Sequence, residues 1–369
     1  SDIVARLGGD EFVVVLPGVD SPADAAHVAD KIVQTVSAPY QVGGQEQRTS
    51  PSIGICIYPD DATEIGDLLK NADTAMYHAK AKGRGNYQFF TENMNVAIMR
   101  RIALESELRV GLERGQFVLH YQPQQDLRNG RLVGLEALVR WQHPVRGLIP
   151  PAEFIPVAEE TGIIDALGDW VLQEALRQLG EWRARGLTEL RMSINLSTGQ
   201  FLDKTLPARM DALLARHGLA AGLIDLEVTE SVSMASPDET IEVMRALTQR
   251  GLSLSIDDFG TGYSSLAYLK LFPIRTLKID RSFVKDIETD PSDADICDVT
   301  VLLAHKLGLE VVAEGVETEA QLKFLRSIGC EKIQGYLISR PLPADQLEAL
   351  LRQPAQAWSS GAVEIWQPH

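Results

Sequence analysis

Apolar positions along this chain change rhythm several times, and the changes mark out its elements. Residues 12–16 form a short apolar run that predicts a strand, and residues 23–36 carry helical spacing. Residues 52–58 (SIGICIY) predict a second β-rich run. Residues 67–82 predict an amphipathic helix that stops at the glycine-rich stretch 83–86. This opening section is an α+β or α/β fragment. Residues 94–114 place apolar side chains at three-to-four spacing amid charge, as a linking helix does, so a domain boundary is expected near 92–115.

Eight β-rich runs follow: VLHYQP, LVGLEALVRW, RMSINLS, LIDLEVTE, LSLSIDDF, TLKID, LEVVAEGVE and EKIQGYLIS. Helical segments such as 165–185 and 206–217 separate most of them. Eight such units predict a (β/α)8 barrel of the TIM type. A doubly wound open sheet is the competing architecture, but no glycine-rich phosphate loop follows the first run. The expected organisation is a partial α+β domain over 1–91, a linker helix over 92–115, a barrel over 116–355 and a tail over 356–369. No function attaches to the tail.

Composition narrows the function classes. A net charge of −16 opposes non-specific binding to nucleic acid or anionic membrane. The 369 residues hold no apolar run of membrane length and nothing resembling a signal peptide. Three scattered cysteines, Cys56, Cys297 and Cys330, give no disulfide framework, which fits a reducing cytoplasm. The chain opens on Ser1 and Asp2 without an initiator methionine, which suggests a longer protein whose upstream segments could anchor it to the inner membrane.

The candidate chemistry sits where the apolar runs stop. Glu136, Asn195, Glu227, Asp257 with Asp258, Lys278 with Asp280, Glu314 with Glu317, and Gln334 each occupy such a place. Singly, an acid at a strand end is as readily a solvated loop residue or a helix N-cap. In a barrel, however, strand C-termini converge on one face, and that face carries the active site. So many crowded carboxylates need cations to stay ionised. Carboxylates and an amide, without cysteine or an H-E-x-x-H pair, suit Mg2+ or Mn2+ better than zinc. Adjacent Asp257 and Asp258 suit a two-metal site that clamps an in-line phosphoryl displacement. Lys278 could orient the nucleophile or neutralise charge there, or form only a structural salt bridge.

These residues lie in motifs that resemble the EAL family of cyclic di-GMP phosphodiesterases. The signature tripeptide is Glu136-Ala137-Leu138, and YQP, NLS, EVTES, DDFGTGYSSL, LKID, AEGVE and QGYLISRPLP follow or flank it in family order. The resemblance implies hydrolysis of cyclic di-GMP to linear pGpG. It implies metal ligands at Glu136, Asn195, Glu227, Asp257, Asp258 and Glu314, and a catalytic group of Lys278, Glu314 and Asp280. Substrate contacts fall on Gln122, Leu138, Arg140, Glu317 and Gln334. Glu230, Gly260 and Gly262 match a regulatory loop that couples the metal site to a homodimer interface, although the two glycines serve equally well as plain turn residues that need φ > 0. A non-catalytic cyclic di-GMP receptor remains the alternative.

Residues 6–12, RLGGDEF, resemble the signature hairpin of the GGDEF (diguanylate cyclase) family, and SIGI and NADTAMYHAKAKGR continue the likeness. The resemblance implies nucleotide and metal contacts at Gly8, Gly9, Asp10, Glu11, Lys80 and Arg84. The family's first strand is absent from this stretch. That leaves open whether the domain binds GTP to regulate its neighbour or makes cyclic di-GMP in the full-length protein.

Overall fold

The computed structural model describes residues 2–352 except 20, 43–44, 189, 236 and 263–265. Tyr263, Ser264 and Ser265 of the expected regulatory loop, and the tail over 356–369, therefore lie outside the described residues. The chain divides into two compact units, Ser1–Ser106 and Glu107–His369. The helix Glu92–Glu113 spans the division, close to the predicted linking helix.

In the first unit, Ile3–Gly8 and Glu11–Val15 form an antiparallel hairpin. The Arg6 guanidinium donates to the Gly9 carbonyl across its turn, at 2.9 Å from Nε. Helices Pro22–Ser37 and Ile65–Ala81 agree with the sequence periodicity. The second β-rich run is shorter than predicted, pairing only over Ser52–Ile55 with Asn86–Phe89.

The second unit is a closed barrel of eight strands: β1 (Phe117–Asp126), β2 (Leu132–His143), β3 (Arg191–Asn195), β4 (Ile224–Thr229), β5 (Ser253–Phe259), β6 (Thr276–Ile279), β7 (Glu310–Ala313) and β8 (Lys332–Gln334). All eight coincide with the runs read from the sequence. One feature departs from an all-parallel barrel, because β1 is antiparallel to both β2 and β8. It leaves through a tight hairpin into β2, so the chain enters the barrel at the end where β2 to β8 finish.

Alternation along the strands sorts side chains between two environments. Leu135, Met192, Ile194, Leu226, Leu254, Ile256, Leu277 and Ile333 are buried in a core shared with Leu172, Leu176, Leu179 and Trp182 of the helix Ile163–Ala184. The residues between them face the barrel interior, where bulky branched side chains usually pack. Here the interior is polar and layered. One layer holds Gln122, Glu136, Asn195, Glu227, Asp257, Lys278, Glu314 and Gln334. A floor lies two residues away on every strand: Gln124, Gly134, Ser193, Asp225, Ser255, Thr276, Val312 and Lys332, which line one cavity beneath.

Candidate active site

The upper layer gathers most of the residues singled out in the sequence. Lys278 is 1% exposed, and its Nζ lies 2.6 Å from Glu227 Oε2, 2.6 Å from Glu314 Oε1, 3.2 Å from Asp257 Oδ1 and 3.7 Å from Glu136 Oε2. Burial opposes its charge, but Asp257, Glu136, Glu227 and Glu314 outweigh that and hold the ammonium pKa well above its usual value. One lysine cannot neutralise the group. Burial raises the Glu227 carboxyl well above normal, with Glu136 and Asp257 adding to it against Lys278. Burial likewise pushes Glu314 up to about 8.

Glu136 is fixed from two sides. Asn195 Nδ2 donates to its Oε1 at 2.7 Å, and Gln334 Nε2 donates to its Oε2 at 2.5 Å. Gln334 also donates to Gln122 Oε1 and accepts from Gln124 Nε2, each at 3.0 Å. Gln124 was not legible as a site residue, although its place two residues after Gln122 puts it on the same face of β1. The strand-end expectation needs correction for Glu136. It lies in the middle of β2, because β2 runs on to His143 and pairs there with Gly147–Ile149.

Asp257 and Asp258 both reach the site through an irregularity in β5. Between Ile256 and Phe259 the register against β6 gains a residue, and Asp258 adopts φ +53°. Such a bulge turns consecutive side chains toward one side instead of opposite faces, and aspartate tolerates the left-handed region better than most residues. Burial, then the charges of Asp257 and Asp280, raise the Asp258 carboxyl to about 6. Asp280 caps the helix Arg281–Lys285 through Ser282 N and lies against Asp258.

Among the described residues, two carboxylate groups have oxygens within 4.8 Å of one another: Glu136, Glu227 and Asp257, and Asp257, Asp258 and Glu314. They share Asp257. Glu227 Oε1 is buried without a hydrogen-bond partner. Overlapping all-oxygen triads, an orphaned carboxylate oxygen and the upward push that burial gives Glu227, Asp258 and Glu314 all fit hard divalent cations.

Around this centre, Arg140 is half-buried. Its guanidinium pKa is lowered by burial, with Tyr336 and Glu136 acting in the other direction. Leu138 is half-buried and Glu317 is exposed, outside the buried cluster. Glu230 is 1% exposed and accepts the Gly260 N–H at 2.8 Å, and a Cβ on Gly262 would stand 3.2 Å from its Oε1. In the first unit, Gly8, Gly9, Asp10, Glu11, Lys80 and Arg84 are all exposed. Among the described residues no helix is long and apolar enough to cross a membrane.

The EAL domain model matches residues 105–341, enclosing every residue of the barrel layer. This chain belongs to the EAL domain family. The diguanylate cyclase GGDEF domain model matches residues 1–86. Over 348 residues the chain is 48% identical to the bifunctional diguanylate cyclase/cyclic di-GMP phosphodiesterase MucR of Pseudomonas aeruginosa, covering 94% of this chain and 51% of that protein. It is 40% identical to the cyclic di-GMP phosphodiesterase PdeR of Escherichia coli, covering 94% and 52%. The chain thus spans about half the length of these curated relatives. Among solved structures, the MucR phosphodiesterase in complex with c-di-GMP superposes with a TM-score of 0.65, over 66% of this chain and 99% of that one, at 48% identity. The EAL enzyme Bd1971 in its cAMP- and cyclic-di-GMP-bound form gives 0.66 over 79% and 77%, at 31% identity.

Proposed function

We propose that this EAL-family chain is a cytoplasmic, metal-dependent phosphodiesterase that opens cyclic di-GMP to linear pGpG. The observation that carries this reading is the pair of carboxylate triads sharing Asp257 around one buried lysine. Glu136, Asn195, Glu227, Asp257, Asp258 and Glu314 would hold two Mg2+ or Mn2+ ions. When bound, such ions supply an activated water and stabilise charge on the phosphoryl oxygens.

The chain's own residues orient and balance that centre. Asn195 and Gln334 fix the Glu136 carboxylate, and Lys278 offsets negative charge among four acids. Arg140 offers forked donors that suit a phosphate, with Leu138, Gln122 and Glu317 as further substrate contacts. Glu230 holds the Gly260 backbone, steadying the loop that follows the two aspartates.

The site falls in a phosphodiesterase unit over 116–355. A linker over 92–115 joins it to the GGDEF segment over 1–91, which regulates it through GTP or acts as a cyclase in the full-length protein. The working state is a homodimer. Exposed Leu266 and Leu271 after β5, and Val299 and Leu302 on the helix Pro291–Leu307, support that reading.

The direct test is hydrolysis of cyclic di-GMP with Mg2+ or Mn2+, with and without EDTA, following pGpG by chromatography. Metal-dependent pGpG is the expected result. Tight binding without product would instead make the protein a receptor.

A further inference from the structure

Beneath the carboxylates, the floor of the barrel contains one acid that the proposed chemistry does not use. Asp225 stands two residues before Glu227 on β4, so its side chain faces the same interior. Its Oδ2 accepts hydrogen bonds from Ser193 Oγ on β3 at 3.4 Å and from Ser255 Oγ on β5 at 2.5 Å. These are interstrand ties across three neighbours. Each tied residue lies two positions before a candidate ligand: Ser193 before Asn195, Asp225 before Glu227 and Ser255 before Asp257. Ser193 stands opposite Asp225 and Asn195 opposite Glu227, whereas Ser255 stands opposite Glu227 and reaches Asp225 diagonally.

We infer that Asp225 is a positioning residue that sets the spacing of Asn195, Glu227 and Asp257 by cross-linking their strands just below the metal site. The inference rests on the metal-site reading above and adds a residue that the family motifs do not assign. Backbone hydrogen bonds fix strand direction and register but leave the strands free to shear and tilt by fractions of an ångström. Ligand geometry is sensitive on that scale, since productive placement requires agreement within about 0.5 Å. A shared carboxylate oxygen at the centre of the three strands removes that freedom. Asp225 also lines, with Gln124, Thr276 and Lys278, a cavity of about 20 Å3 directly under the lysine. That is room for about one water molecule, so the floor is compact.

Both serine hydroxyls reach the same oxygen, which gives a clean test. Asparagine keeps one carbonyl oxygen at that point, whereas alanine removes it. Mn2+ binding to the full chain would be measured by calorimetry in wild type, Asp225→Asn, Asp225→Ala and the double variant Ser193→Ala/Ser255→Ala. Alanine at 225 and the double variant are expected to weaken Mn2+ binding roughly tenfold or more, the range typical for partners of metal ligands. Asp225→Asn should stay within about threefold of wild type by the same reasoning. Wild-type affinity in Asp225→Ala, or a loss in Asp225→Asn equal to that in the alanine variant, overturns the inference alone. If Asp225→Ala fails to fold, the double variant decides: unchanged affinity there overturns it. A wild-type protein that takes up no Mn2+ overturns the metal-site reading and this inference together.

Discussion

Lys278 Nζ and Glu227 Oε2 stand 2.6 Å apart, with both side chains almost wholly withdrawn from solvent. Truncating one member of a buried pair leaves its partner uncompensated, at a cost of about 3–5 kcal/mol. Lys278→Ala should therefore lose stability of that order in EDTA and recover part of it in Mn2+, measured by urea denaturation. An equal loss in both conditions would mean that the ammonium and the cations do not neutralise the same carboxylates. Turnover should fall in the same variant even at saturating metal.

Glu136 is held by two amide donors and belongs to the first carboxylate triad. Glu136→Gln keeps its shape and removes its charge, so Mn2+ binding should weaken and pGpG formation should fall to background. Near wild-type turnover in this variant would remove Glu136 from the site.

The acids titrate in a direction that gives the protein a distinctive pH response. Burial raises Asp258 to about 6 and Glu314 to about 8, above the usual values for unfolded carboxyls. The folded chain therefore binds more protons than the unfolded one between those limits. Stability without metal is full below about pH 4 for these groups and falls as pH rises through 6 and 8. Thermal midpoints in EDTA should decline from pH 5 to pH 8. Metal needs the deprotonated forms, so Mn2+ affinity should climb over the same range and binding should release protons.

Gly260 combines φ +99° with a tight neighbour, since an added Cβ would lie 2.9 Å from Phe283 Cε2. Gly260→Ala must strain the backbone and displace a ring, and a cost of about 1–3 kcal/mol is expected. The same change should disturb the N–H that Glu230 accepts. Denaturation midpoints and Mn2+ titrations of Gly260→Ala and Glu230→Ala should therefore shift together, and a change in stability alone would separate the loop from the metal site.

Much of the barrel was legible because its strands alternate so regularly. In TLKID, Thr276 and Lys278 face the interior while Leu277 and Ile279 join the core, and that contrast is visible in five letters. Four features were not. Strand direction leaves no mark on apolar periodicity, so the reversal of β1 could not be read from VLHYQP. The bulge at Asp258 depends on pairing with β6, which is a tertiary property. Glu136 reads as a strand end because its polar letter is conspicuous, whereas β2 continues for seven residues to His143. Asp225 is inconspicuous for the opposite reason: between Ile224 and Leu226 it looks like an ordinary polar alternation, and only the serines on the neighbouring strands give it a role.

The reversal of β1 has a mechanical corollary. An all-parallel barrel receives its chain on the side remote from the chemistry, so a preceding segment is a full strand length away from the reacting groups. Here the helix Glu92–Glu113 delivers the chain directly to the rim. Its Gly111 touches the indole of Trp141, where even one added methyl group would stand 2.9 Å from Nε1. Trp141 sits five residues beyond Glu136 on the same strand. A side chain added at Gly111 would therefore press on the strand that carries Glu136.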